Sequence, residues 1–281
     1  MQTSHKFAAD SVESLYLDLL KKSLTRYLFP EKYRAVAGER GSLRGRLYEP
    51  IRRVLESKRY QLVRTEPTDL EARYEGRDWP DEAETMVGLR RLDHLQSCIT
   101  DIIERGVPGD LVETGVWRGG ASIFMRAVLT ALGDPTRRVW VADSFQGLPR
   151  PDPVNYPADA GDRHWTAPGL AISLETVQAN FAKYGLLDER VVFLAGWFDQ
   201  TLPTARIETI CLLRCDCDMY ASTTHVFQNL YARVAVGGYV IVDDYGDVEG
   251  CRAAVDDFRR DNRISEPVER IGPSITWRRE S

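Results

Sequence analysis

The chain has 281 residues, 43% apolar and 28% charged, with a formal net charge of −5. This is the balance of a soluble globular protein with a real core, sized for one large α/β domain or a domain with an N-terminal extension. It excludes a basic field that would hold nucleic acid or an anionic membrane, and no apolar run approaches the length of a bilayer span. The opening M-Q-T-S-H-K-F-A-A-D has no apolar leader core, and the five cysteines show no paired C-x-x-C spacing, so a cytoplasmic protein is expected. Cys215 and Cys217 would share one side of a strand as small core residues.

Residues 11–29 carry Val12, Leu15, Tyr16, Leu19, Tyr27 and Leu28 at helical spacing, and Pro30 ends the helix. Its apolar stripe serves packing on its own domain, a dimer contact or a flap over a site. Arg40 to Arg64 is locally basic, the pattern of a solvated helix face or of contact with an acidic or polyhydroxylated acceptor. Glu66 to Pro80 reads as a linker, and Asp81 to Arg105 as a helix leading into the core. The boundary is set there: residues 1–80 form a helical extension and 81–281 the main domain.

The stretch Asp110 to Gly120, D-L-V-E-T-G-V-W-R-G-G, has a short apolar run ending in Glu113, then a glycine-rich bend. A helix follows from Ala121, with Ile123, Phe124, Val128 and Leu132 on one face. Strand, glycine turn and helix open a nucleotide-binding α/β fold, since glycines let backbone approach a ligand. The spacing E-x-G-x-x-x-G-G matches neither dinucleotide nor phosphate-loop fingerprints. An acid at the strand end and no lysine in the loop make a cationic ligand at least as plausible as a pyrophosphate. S-adenosylmethionine (AdoMet) is such a ligand.

Arg138 to Ser144 is a second strand, and Asp143 at its end suits ribose hydroxyls better than a surface turn cap. Gly147 to Gly169 is long and proline-rich, and is read as a lid; its His164 is left outside the site. After a helix over Ser173–Tyr184 and a strand over Arg190–Gly196, Trp197 and Phe198 either stack on an adenine or close the core. Thr209–Asp216 and Tyr239–Val242 are further strands, the second running into Asp243 and Asp244. Four acids here, with Asp218, would repel one another without a counter-charge. A divalent cation resolves this, and an all-oxygen set favours Mg²⁺; the alternative makes Asp243 and Asp244 turn caps and leaves Asp218 in solvent. A helix from Cys251 and a closing hairpin end the chain, as in class I methyltransferases.

The chain resembles the macrocin O-methyltransferase (TylF-like) family through L-Y-L-D-L-L-K-K, T-M-V-G-L-R-R-L-D, E-T-G-V-W-R-G-G, V-A-D-S-F-Q-G-L-P, G-W-F-D-Q-T-L-P, D-C-D-M-Y-A-S-T and G-G-Y-V-I-V-D-D-Y-G with C-R-A-A-V-D-D-F. The resemblance covers most of the chain beyond residue 11. It implies a Rossmann-like α/β class I fold, with a mainly parallel seven-stranded sheet, a closing antiparallel hairpin and a helical lid. It also implies AdoMet and Mg²⁺, and methyl transfer to a sugar hydroxyl of a glycosylated secondary metabolite of the macrolide or aminocoumarin type by a homodimer. Carried over by motif, Asp216, Asp243 and Asp244 hold the metal and Asp218 is the base. Glu113, Thr114, Gly115, Val116, Ser122, Asp143, Ser144, Gly196, Trp197, Phe198 and Asp216 surround the cofactor. Cys217 departs from the pattern, where a glycine is expected. The competing readings are a nicotinamide-dependent oxidoreductase on the same fold, a methyltransferase of some other saccharide, and a binding or scaffold protein without catalysis.

Overall fold

A computed structural model describes residues 11–29, 31–35, 43–80 and 82–281. The expectations placed on residues 1–10, on Pro30 as a helix stop, and on the segment starts at Arg40 and Asp81 lie outside those residues. Helix α1 (Val12–Leu24) starts where Ser11 caps the Ser14 N–H at 3.1 Å. It buries Leu17, Leu20 and Leu24, so the core face is not the stripe read from the sequence: Val12, Leu15, Tyr16 and Leu19 are 78, 59, 37 and 57% exposed. Both faces are apolar, and periodicity alone selects neither.

Where a purely helical extension was expected, β1 (Lys32–Ala35), α2 (Leu43–Ser57) and β2 (Val63–Glu66) form an antiparallel strand pair with a helix in the connection. The stretch read as a linker contains α3 (Leu70–Glu75), capped at both ends by Asp69 and by left-handed Gly76. Helix α4 (Gly88–Glu104) begins later than expected. Residues 82–87 instead make a turn whose Glu84 carbonyl accepts the Gly120 N–H at 3.0 Å.

The main sheet is built from β3 (Asp110–Thr114), α5 (Gly120–Ala131), β4 (Val139–Asp143), α6 (Leu174–Lys183), β5 (Val191–Ala195), α7 (Phe198–Thr201), β6 (Ile210–Cys215), α8 (Tyr220–Leu230), β7 (Val234–Val242), α9 (Glu249–Asp261), β8 (Glu269–Ile271) and β9 (Ser274–Arg278). Its strand order is β5-β4-β3-β6-β7-β9-β8; the first five strands in that order pair in parallel, and β9 and β8 close the edge as an antiparallel hairpin. Alternation divides the strand residues between two faces. Leu111, Val139, Val141, Leu212 and Ile241 pack with residues of α1, α4, α5 and α6; Val112, Trp140, Leu213, Val240 and Trp277 pack with those of α8 and α9. The chain reverses its winding direction between β3 and β6, the point where α/β sheets open a crevice beyond their carboxyl ends.

Candidate active site

Parallel register sets the chemistry at that edge. Thr114 pairs with Ala142 on one side and Cys215 on the other, and Cys215 pairs with Val242. The next residues therefore come abreast as a row: Asp143, Gly115, Asp216, Asp243. One further backbone bond at 2.9 Å fixes each of three members, from Gly115 N–H to Ala142, Asp216 N–H to Thr114 and Asp243 N–H to Cys215. Gly115 has φ +79°, and a Cβ there would lie 1.7 Å from the Asp216 carbonyl oxygen. Its smallness makes room for the neighbouring strand end rather than only for a ligand. Just past each of three adjacent strands a non-glycine residue is held left-handed: Trp117, Phe145 and Asp218, with φ +47°, +56° and +56°. Strain of this kind collects at functional loops.

The acids are not left without counter-charge, which corrects the argument made from their number alone. Arg214 lies next to the carboxyl end of β6, 3% exposed, and its Nη1 reaches Glu113 at 2.5 Å and Asp216 at 2.7 Å. Its Nη2 sits 2.7 Å from Asp243 Oδ1 as an ionic contact outside hydrogen-bond geometry. Arg91 from α4 donates to Asp243 Oδ2, and Ser274 Oγ donates to Asp243 Oδ1 at 2.9 Å. Burial would raise the Asp243 carboxyl, but Arg214 and Arg91 hold it below the usual range. Asp216 is raised by burial against the pull of Arg214. Asp244 is raised well above its ordinary value by burial and by Asp216, Asp218 and Asp243. Glu113 is pushed up to about 7 by burial, although Arg214 and Ser122 oppose it. Asp218 also rises to about 7, through burial and the nearby Asp216. Two guanidiniums thus leave acidic charge over. One oxygen each from Asp216, Asp243 and Asp244 lies within 4.8 Å of the others, a hard all-oxygen donor set suited to a divalent cation.

Two connected lobes open on the row. One, of about 460 Å³, is lined by Asp143, Ser144, Gly196, Trp197, Phe198 and Asp216 among others. The other, of about 330 Å³, brings Glu113, Val116, Asp216, Asp218, Asp243 and Asp244 together. Gly115, Asp143, Gly147, Leu148 and Asp216 belong to both. Both volumes are in the range of small-molecule sites. Asp143 is engaged by its own backbone: Oδ2 accepts the Val116 N–H at 2.8 Å and Oδ1 the Phe145 N–H at 2.7 Å. Ser144 Oγ also donates to Oδ1, at 3.5 Å. Thr114 and Ser122 line neither lobe; both are fully buried, Ser122 donating to Glu113 and Thr114 Oγ1 lying 3.2 Å from Cys217 Sγ.

Several contributors escaped the sequence reading. Arg214 left a trace, a lone arginine inside the apolar run T-I-C-L-L-R-C-D, which must find acids if the strand is central. Arg91 left none. The segment read as a lid, residues 147–169, is pinned by short 3₁₀ turns and long-range bonds. Asp159 accepts the Tyr220 and Ala221 N–H groups at 2.7 and 2.9 Å, Tyr156 Oη lies 2.8 Å from His225 Nε2, and Trp117 Nε1 donates to the Gly169 carbonyl at 2.8 Å. His225, not singled out before, lines the larger lobe. His164 lines the acidic one, where its hydrogen bond to Asp162 raises its imidazole pKa.

The strand order, the closing hairpin and the row of carboxylates define a class I methyltransferase fold. The chain belongs to the macrocin O-methyltransferase (TylF) family, whose model matches residues 13–280. It is 46% identical over 271 residues to the 8-demethyl-8-(2,3-dimethoxy-α-L-rhamnosyl)-tetracenomycin-C 4′-O-methyltransferase of Streptomyces olivaceus, covering 96% of this chain and 94% of the other. It is 45% identical to the demethyldecarbamoylnovobiocin O-methyltransferase of Streptomyces niveus, over 99% of this chain and 98% of that one. The solved O-methyltransferase NovP superposes with a TM-score of 0.81 at 43% identity, covering 96% of this chain and all (100%) of the other. The protein is therefore an O-methyltransferase, and its family implies AdoMet as methyl donor; the oxidoreductase and scaffold readings fall away. Among the described residues, no helix is long and apolar enough to cross a membrane.

Proposed function

We propose that the protein methylates a sugar hydroxyl of a glycosylated secondary metabolite, using AdoMet and Mg²⁺. The observation that carries this reading is the carboxylate row, with a ligand-sized lobe on one side of Gly115 and the acidic lobe on the other. The relatives' sugar acceptors support the substrate class. Bound AdoMet would supply an electrophilic methyl group, and Mg²⁺ would supply Lewis-acid charge that acidifies the acceptor hydroxyl.

The chain's own groups divide that work. Asp143 and Ser144 hold the ribose, Trp197 and Phe198 flank the adenine, and the backbone of Gly115, Val116 and Gly196 shapes the cofactor lobe. Asp216, Asp243 and Asp244 hold the cation. Glu113 acts on the site through Arg214, with Ser122 holding Glu113 and Thr114 supporting the Asp216–Asp218 turn from beneath. Asp218 would accept the hydroxyl proton at a carboxylate oxygen, while the donor's methyl–sulfur bond would break to leave a neutral thioether as the methyl passes to the acceptor oxygen. Trp79, Trp117, Met86 and Leu170 give the acidic lobe apolar walls. The exposed apolar face of α1 is assigned to a homodimer contact in a cytoplasmic enzyme.

The test is a mass assay on a panel of uncharged glycosides with AdoMet. One methyl gained per acceptor in Mg²⁺, lost in EDTA and regained on adding Mg²⁺, is the expected result. Undiminished turnover in EDTA would reject the metal, and no methylated glycoside from any acceptor class would reject the substrate.

A further inference from the structure

We infer that Arg91 is a resident stand-in for the divalent cation, holding Asp243 Oδ2 in the metal-free protein and yielding that oxygen when metal binds. This rests on the metal reading above and concerns what the chain does before metal arrives.

The two oxygens of Asp243 are held very differently. Oδ1 accepts Ser274 Oγ at 2.9 Å and faces Arg214 Nη2 at 2.7 Å. Ser274 and Arg214 are both buried, and Arg214 cannot leave because its Nη1 is shared between Glu113 and Asp216. Oδ2 is paired with Arg91 Nη1. Arg91 reaches in from the first turn of α4 and has independent moorings: Nε donates to the Val87 carbonyl at 2.7 Å and Nη2 to the Gly76 carbonyl at 3.1 Å. Those two partners are neutral carbonyls, so swinging away from Asp243 gives up no other ion pair shown among the described residues. Arg91 also lines the acidic lobe, so it can withdraw into space that is already there. A guanidinium and a divalent ion beside the same oxygen repel each other, and the mobile one gives way.

Two consequences follow. Buried carboxylates that lose their partner charge are strongly destabilising, so Arg91 lets the site survive without metal. The same contact competes with metal and weakens its binding. Removing the charge should therefore tighten metal affinity, whereas a residue that only oriented Asp243 would weaken it when removed.

Wild type, Arg91→Gln and Arg91→Lys are purified in Mg²⁺, dialysed free of metal and titrated directly with Mn²⁺, with circular dichroism confirming that each is folded at the start. Arg91→Gln should bind Mn²⁺ at least about ten-fold more tightly than wild type, and Arg91→Lys, which keeps the charge, within about three-fold of it. EDTA should lower the Tm of Arg91→Gln more than that of wild type. Equal or weaker Mn²⁺ binding by Arg91→Gln overturns the inference while leaving the metal reading intact. Absence of Mn²⁺ binding in all three proteins overturns the metal reading, and this inference with it.

Discussion

Asp218 unites strain, burial and placement in one residue. Its φ is +56°, and its backbone N–H donates to Asp244 Oδ2 at 3.0 Å, tying it to the carboxylate cluster without spending its own carboxylate. Asparagine tolerates a left-handed backbone at least as well as aspartate does, so Asp218→Asn removes the proposed base and adds no backbone strain. That variant should retain AdoMet and Mg²⁺ affinity by calorimetry while turning over about a hundred-fold more slowly, the usual scale for a lost general base. Full activity would pass the role to another group, with His164 the first to try. The acid was legible from its spacing after Asp216; its left-handed backbone was not, because nothing in C-D-M-Y announces it. Gly115 shows the reverse case. The sequence marked the glycine, but only the register of β3 and β6 reveals that the Asp216 carbonyl occupies the space a side chain would need.

At the scale of elements, α1 is the instructive case. Leu17 and Leu24 are completely buried and Leu20 nearly so, within the same cluster as Leu92, Leu95 and Phe124 from α4 and α5. Removing α1 would take these leucines out of the core, so a chain without it should lose cooperative folding. Leu17→Ala should cost about 2–5 kcal/mol, read as a lowered denaturant midpoint at unchanged slope. On the other face, Val12→Ser with Leu15→Ser and Leu19→Ser should leave the midpoint nearly unchanged and shift the mass in light scattering from dimer to monomer. A lowered midpoint with the mass unaltered would count against the dimer contact. Sequence periodicity located this helix but could not rank two apolar faces. It missed β1 and β2 because strands of four residues in a polar stretch carry too little alternation to detect.

Across the whole molecule, the fold was legible because its signals repeat. Each apolar run ends in an acid or a glycine, and the parallel register then brings these ends abreast. What stayed hidden was the cation side of the site, since Arg91 and Arg214 meet Asp243 across 152 and 29 residues of chain. The lobes share only the row and the start of the pinned segment, so AdoMet affinity should be the same in EDTA and in Mg²⁺, measured by calorimetry. A cofactor affinity that collapses in EDTA would show that the cation shapes both lobes.

The carboxylate of Asp159 takes the place of an N-cap for α8, a helix whose own cap residue, Met219, offers no side-chain bond. The segment carrying Asp159 cannot lift there without baring two helix donors, and that first turn begins two residues after Asp218. Lifting that segment would therefore loosen the helix start beside the proposed base. The cover of the site and the proposed base would then loosen or tighten together, as parts of one hinge.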